Sequence, residues 1–330
     1  MNRSKSIFKK VLGLLTTLAL LCTLLLTGIS YLLYKLTLTR SARATLAMFK
    51  RRLSKSPKSK EDSTSILSKE YDEFIKTYSE WCANALPDIW TITSFDGLKL
   101  KARYYRCVNS HKWLLGVHGY FSSYDELNPA AKNAYDKGYN TVVVSLRGHS
   151  DSEGNDITMG WLDRLDILKW IDQIIDIDPD AEIVLYGISM GAATVMMVSG
   201  EKLPPNVKCI VEDCGYTSIM DEFAYQMPKM YNLPTFPILP LTALLCRIKL
   251  GFSLNEGSAL NQVKKSTTPI LFIHGDQDNF VPFFMVHELY DAATCPKSLY
   301  VVNGASHANS YFVDKENYWP TIWRFVDQYI

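Results

Sequence analysis

The chain has 330 residues, 47% of them hydrophobic, and a formal net charge of +1. That length and apolar content suit one large buried core with a small insertion. The near-zero charge is a sum of two opposed parts, because residues 1–60 hold 13 Lys and Arg and no acid while residues 61–330 hold 22 Lys and Arg against 34 Asp and Glu. An acidic body offers no electrostatic footprint for nucleic acid, which is excluded as a partner.

Residues 1–10 form a basic N-terminal segment. From Val11 to Tyr34 there are 24 residues without a charge, dominated by Leu. As a helix this run spans about 36 Å, enough for a hydrocarbon core of about 30 Å, so residues 11–34 read as a single-pass membrane helix. The alternative is a cleaved signal peptide, whose apolar region is usually about 7–15 residues and is followed by a small-x-small cleavage site. Such a site is not evident here. Arg3, Lys5, Lys9 and Lys10 precede the span, and Lys35, Arg40, Arg43, Lys50, Arg51 and Arg52 follow it. The larger count behind the span favours a cytoplasmic body, with both orientations left open.

Residues 35–65 read as a basic juxtamembrane linker, suited either to anionic lipid head groups or simply to water. The cysteines show no C-x-x-C spacing, so neither a zinc site nor a thioredoxin-type motif is indicated. Residues 66–330 then form the body. A helix is expected around Ile66–Leu86, and the pattern afterwards alternates β-rich runs with helical ones. Eight strands are expected: Trp90–Ser94, Leu98–Tyr105, Trp113–His118, Asn140–Ser145, Glu182–Tyr186, Cys209–Asp213, Ile270–His274 and Ser298–Val302. The first two, joined by the turn Asp96-Gly97, must be antiparallel. Helical crossovers near Glu126–Lys137, Thr158–Ile177, Met190–Gly200, Phe283–Ala293 and Trp319–Tyr329 make the remainder mainly parallel, an α/β fold with helices on both faces. Residues 216–262 are too long for a simple connection and read as an inserted cap.

Gly187-Ile188-Ser189-Met190-Gly191 lies between the strand Ile183–Tyr186 and the small-residue helix start Ala192-Ala193-Thr194. A serine on a tight strand-to-helix turn has a strained backbone and needs small residues two positions to either side. The helix behind it aims its N-terminal amides at negative charge that develops beside Ser189. A serine hydroxyl needs a base to take its proton and a carboxylate to orient that base. His307, in the loop after the last strand, is on the same sheet edge as Ser189. The other histidines have plainer readings: His111 and His287 at the surface, and His118, His149 and His274 pinning loop backbone. Among the carboxylates, Asp276, Asp278 and Asp213 all stand at strand ends. An oxyanion requires two amide donors, one from the residue after the nucleophile and one from the loop after the third strand. These are the main-chain N–H groups of Met190 and Tyr120, with the Tyr120 ring expected as a wall of an acyl pocket.

Together, His118-Gly119-Tyr120, Arg147-Gly148-His149, the motif at 187–191, His274-Gly275-Asp276-Gln277-Asp278 with Val281-Pro282, and Gly304-x-x-His307 resemble the α/β-hydrolase superfamily. More narrowly, they resemble its serine aminopeptidase-like and membrane-bound cell-surface hydrolase branch. The resemblance covers residues 88–330 and implies Asp278 as the triad acid. Ser150 departs from the pattern, where many relatives carry a second glycine. The resemblance implies hydrolysis of an ester, thioester or amide through acyl-Ser189, in the manner of a carboxylesterase or lipase, without metal or organic cofactor. An aminopeptidase-like peptidase, an acyltransferase with the same triad and a non-catalytic binding protein on the same fold remain open. The partners expected are a lipid-like or other small acyl substrate, or a peptide, and the membrane. Phe223, Met227, Met230, Tyr231, Phe236, Leu239, Leu241 and Leu244 give the cap an apolar character that suits either a substrate acyl chain or the cap's own packing. Because residues 1–60 hold no candidate catalytic group, the active site is expected to assemble without them.

Overall fold

The computed structural model describes residues 2–41 and 63–330. Helix α1 (Asn2–Thr37) overruns the expected span at both ends. Lys9, Lys10 and Lys35 are good helix formers, so they end the uncharged run without ending the helix. The expected linker accordingly starts later than residue 35. Leu38 is buried in the core, Thr39 bridges Asp156, and the Arg40 N–H donates to Asn155 O at 2.8 Å. These partners lie far away in sequence, which is why local composition read as solvated chain. Most of the linker, 42–62, lies outside the described residues.

The body opens with α2 (Ser63–Asn84). Its strands are β1 (Asp88–Thr93), β2 (Lys99–Tyr105), β3 (Lys112–Val117), β4 (Asn140–Val144), β5 (Glu182–Ile188), β6 (Val207–Asp213), β7 (Ile270–Gly275) and β8 (Lys297–Val302). They form one sheet in the order β1-β2-β4-β3-β5-β6-β7-β8, with β2 antiparallel to both neighbours and every later pairing parallel. The expected eight-stranded α/β architecture is present.

Inner strands such as β4, Asn-Thr-Val-Val-Val, are buried at every position, as a parallel sheet covered on both faces requires. Side chains alternate between two cores. Leu115, Val142, Val144, Ile183 and Leu185 pack with α4 (Asp163–Ile177), α5 (Met190–Val198) and α9 (Phe284–Ala292), whereas Leu114, Val143, Val184 and Tyr186 face α3 (Asn128–Asp136) and α11 (Tyr318–Val326). Two short helices, α8 (Ala259–Val263) and α10 (Ser310–Val313), complete the set described here. Leu33, Tyr34 and Leu38, from α1 and the residue just after it, belong to the first core.

The insertion between β6 and β7 carries α6 (Ile219–Tyr231), α7 (Ile238–Leu250) and α8. Ser218 caps α6, its Oγ accepting the Asp221 N–H at 3.0 Å, which satisfies one of the orphan donors of the first turn. The apolar cap residues divide: Phe223, Met227, Met230 and Tyr231 face a pocket, Leu239 enters the core, and Phe236 and Leu244 are 78% and 54% exposed.

Arg147 anchors the loop after β4. Its buried guanidinium grips Asp166 of α4 with Nε–Oδ2 2.7 Å and Nη2–Oδ1 2.8 Å, and reaches Asp96 of the β1–β2 turn at 2.9 Å. Such a fork is far more costly to break than to lack, since removing one partner leaves a buried charge uncompensated. Arg147→Ala is expected to lower unfolding stability by about 3–5 kcal/mol, measured by denaturant titration of the full chain in detergent.

Candidate active site

Ser189 stands between the end of β5 and the start of α5 with φ +56° and ψ −118°. A non-glycine residue in such a conformation costs on the order of 1–3 kcal/mol and persists only where the surroundings hold it. Here the Ser189 N–H donates to Asp213 O at 2.8 Å and its carbonyl accepts from Ala193 N–H at 3.0 Å. The two glycines of the motif are required by space: a Cβ on Gly187 would meet Gly191 O at 2.3 Å, and one on Gly191 would meet Val117 O at 2.0 Å. The ends of β3, β5 and α5 therefore touch through bare backbone, and the serine is pushed out at their junction.

Ser189 Oγ is 2.8 Å from His307 Nε2, and His307 Nδ1 is 2.7 Å from Asp278 Oδ2. The other carboxylate oxygen of Asp278 accepts the N–H groups of Phe280 at 2.8 Å and Val281 at 3.0 Å. Burial acts to raise the Asp278 carboxyl, but hydrogen bonds from His274 and His307 outweigh it and hold the group below the usual carboxylate range. An ionised Asp278 places the imidazole proton on Nδ1, leaving Nε2 to accept from the serine hydroxyl.

The rival acids are occupied elsewhere. Asp276 Oδ1 accepts the Gly304 N–H at 2.7 Å, which fixes the loop that carries His307. Asp213 is buried, accepting from Ser310 Oγ at 3.1 Å and Tyr318 OH at 2.7 Å. Burial pushes its carboxyl up to about 6.

The loop after β3 lies over Ser189, since a Cβ on Gly119 would stand 3.2 Å from Ser189 Cβ. The main-chain N–H of Tyr120 has no acceptor among the described residues, and that of Met190 is the first of α5, an N–H the helix itself leaves open. Glu126, which sequence reasoning did not single out, holds this loop, its Oε2 accepting the Gly119 N–H at 2.6 Å. His149 Nε2 accepts from Phe121 N–H at 3.2 Å, and His118 Nε2 from Leu146 N–H at 3.1 Å. His274 Nε2 lies 3.0 Å from Val281 O and 3.3 Å from Asp278 Oδ2. These three histidines thus meet loop backbone, and His274 also touches the carboxylate.

Cys214, Asp278 and His307 have potential metal-ligand atoms within 4.8 Å of one another. The Cys214 thiol is pushed well above its usual range by burial and by the neighbouring Asp213 and Asp278, whereas metal ligation needs the thiolate. Hydrogen bonding accounts better for the arrangement.

A pocket leads from Ser189, lined by Tyr120, Tyr216, Met227, Tyr231 and, from α1, Leu33 and Thr37. The Tyr120 phenol donates to Thr37 O. One acid interrupts the apolar lining: burial pushes Glu222 up to about 8, so it is largely uncharged at neutral pH. Leu33 and Thr37 thus reach the pocket wall, which the sequence could not show because Leu33 is as suited to lipid as to a protein wall.

A sequence profile described as the alpha/beta hydrolase fold matches residues 112–245. Over that stretch the chain is a member of the α/β-hydrolase superfamily. The fold is also that of the Pyrococcus furiosus esterase Pf2001, with TM-score 0.61 and 22% identity over 75% of this chain and 95% of that one. Among curated proteins it is similar to Bacillus subtilis YqkD, 28% identical over 58% of this chain and 63% of the relative. It is also similar to the Danio rerio lysophosphatidylserine lipase ABHD12, 28% identical over 58% of this chain and 50% of the relative. The chain thus matches between half and two thirds of the length of those relatives.

The contact between Gly191 and Val117 is the tightest point of the turn that carries Ser189. Gly191→Ala should abolish reaction of Ser189 with a fluorophosphonate, read by gel fluorescence, because the added Cβ at 2.0 Å from Val117 O forces the turn open.

Proposed function

We propose that this chain is a membrane-anchored serine hydrolase that cleaves an ester of an apolar acid through an acyl intermediate on Ser189. The observation that carries the reading is the unbroken hydrogen-bond line from Ser189 through His307 to Asp278 at the floor of an apolar pocket. In the proposed reaction Ser189 Oγ attacks the substrate carbonyl while His307 Nε2 takes its proton, and Asp278 orients and stabilises the imidazolium. The N–H groups of Tyr120 and Met190 receive the oxyanion. His307 returns the proton to the departing alcohol, and water, activated by the same imidazole, then releases the acid.

Several observations support an acyl substrate and retention of α1. Pocket walls of Met, Tyr and Leu suit a hydrocarbon chain, and a relative is named as a lysophosphatidylserine lipase. Leu33 and Thr37 line the pocket from a helix that a cleaved leader would remove. The 31-residue apolar stretch Ile7–Thr37 is long enough to cross a bilayer.

Ser189→Ala should eliminate fluorophosphonate labelling in a protein that keeps its unfolding transition, and persistent labelling would refute the assignment. Asp278→Asn should cut turnover by about 10⁴-fold, whereas Asp276→Asn should act more mildly through the His307 loop. Near-normal turnover in Asp278→Asn would move the acid elsewhere.

Leu33→Trp, which narrows the pocket from the α1 side, should shift preference toward short acyl chains in an ester series. An unchanged chain-length profile would place the acyl group outside this pocket.

A further inference from the structure

Helix α7 of the cap packs on the C-terminal half of α1: Ser30 Oγ donates to Ile238 O at 3.3 Å, and Lys249 Nζ lies 5.6 Å above the Tyr31 ring. The uncharged part of α1 whose side chains are continuously exposed runs from Val11 to Leu25, 15 residues. Those residues reach about 22 Å, short of the roughly 30 Å hydrocarbon core. The missing distance of about 8 Å corresponds to about five further residues, namely 26–30, where Leu26 and Ile29 are half-buried and Ser30 is buried against the start of α7. A bilayer crossed by α1 therefore extends to the level of α7.

The outer surface of α7 fits that position. Ile238, Thr242 and Cys246 face inward, while Pro240, Leu244 and Ile248 recur at i+4 spacing and are all exposed, Ile248 by 73%, and Phe236 in the turn just before the helix is exposed by 78%. From Asn232 to Asn255 the only charged residues are Arg247 and Lys249 at the end of the helix, with no carboxylate, on a body that is otherwise acidic. An apolar stripe ending in basic residues is the pattern of a helix that lies in the membrane interface, buried by about 5–10 Å, which matches the depth deduced from α1. The pocket opens nearby: its lining includes Leu33 of α1 and the exposed Met230, a short loop before Phe236.

We propose that α7 is immersed in the lipid leaflet next to α1, its apolar stripe at the acyl-chain boundary and Arg247 and Lys249 at the phosphates, so that a membrane-resident ester enters the pocket directly from the bilayer. This rests on the hydrolase and anchor reading above. It differs from tethering alone, in which α1 holds a body that works clear of the membrane.

The test uses the full chain in vesicles of phosphatidylcholine and phosphatidylglycerol that contain a phosphatidylcholine with a diazirine on its acyl chain. After photolysis, peptide mapping by mass spectrometry is expected to find lipid adducts on residues 236–250 as well as on α1. Adducts confined to α1 would overturn the proposal. In parallel, Leu244→Asp and Ile248→Asp, both at exposed positions, are expected to lower hydrolysis of a bilayer-dissolved long-chain ester by at least about tenfold, because a carboxylate is costly to immerse. Hydrolysis of a water-soluble short ester and fluorophosphonate labelling should stay within about twofold of the parent, as no group of the reacting line is touched. Ile177→Asp, an exposed apolar position at the end of α4, serves as the control and should change neither rate. Unaltered bilayer hydrolysis in both α7 variants would contradict the proposal, as would a change of oligomeric state on light scattering with bilayer hydrolysis intact, which would make the stripe a contact between copies. Absence of labelling and of soluble-ester turnover in the parent, with adducts on α7 retained, would instead refute the hydrolase reading and leave the membrane surface standing.

Discussion

The backbone approach at the turn that carries Ser189 constrains everything around it. Gly187, Gly191 and Val117 come so close that no side chain fits between them, and Ser189 takes its left-handed conformation as a consequence. From that point the N-terminus of α5, the end of β3 and the carbonyl of Asp213 on β6 are mutually positioned. The parallel order β3-β5-β6-β7-β8 then delivers loops carrying Tyr120, Asp278 and His307 to the same sheet edge. The geometry is a property of the sheet order as much as of the motif.

Around the turn, polar side chains hold the loops in place. Glu126, His118 and His149 hold the segment after β3, Asp276 holds the His307 loop, and the Arg147 fork ties the β4 loop to α4 and to the first hairpin. Each is a fixed donor or acceptor with a specified partner. The amides beside Ser189 are thereby fixed in place, as the proposed stabilisation of an oxyanion requires.

Much of this was legible in the sequence because it is written locally. The G-x-S-x-G spacing between a β-branched run and small residues, the two-residue turn at Asp96-Gly97, and the excess length of 216–262 each depend on neighbours in the chain. The choice among Asp213, Asp276 and Asp278 was not local, and came from family resemblance; in the structure Asp278 is the one within hydrogen-bond reach of His307. Glu126 was invisible because a carboxylate at a helix start usually serves the helix dipole, and only the folded loop brings it to Gly119. Two errors share one cause. Apolar periodicity reports that a side chain avoids water without saying what replaces the water. Leu33 therefore read as lipid-facing yet lines the pocket, and Phe236 and Leu244 read as pocket or packing residues yet face outward.

The central claim is covalent: during turnover the acyl group resides on Ser189. The most direct measurement is rapid acid quenching of the full chain during hydrolysis of a chromogenic acyl ester, followed by peptide mass spectrometry. The account predicts a mass increase equal to the acyl group on the peptide containing Ser189, appearing with the first burst of released alcohol and vanishing when substrate is exhausted. Turnover with Ser189 unmodified at every quench time, or with the acyl group accumulating on another side chain, would contradict it.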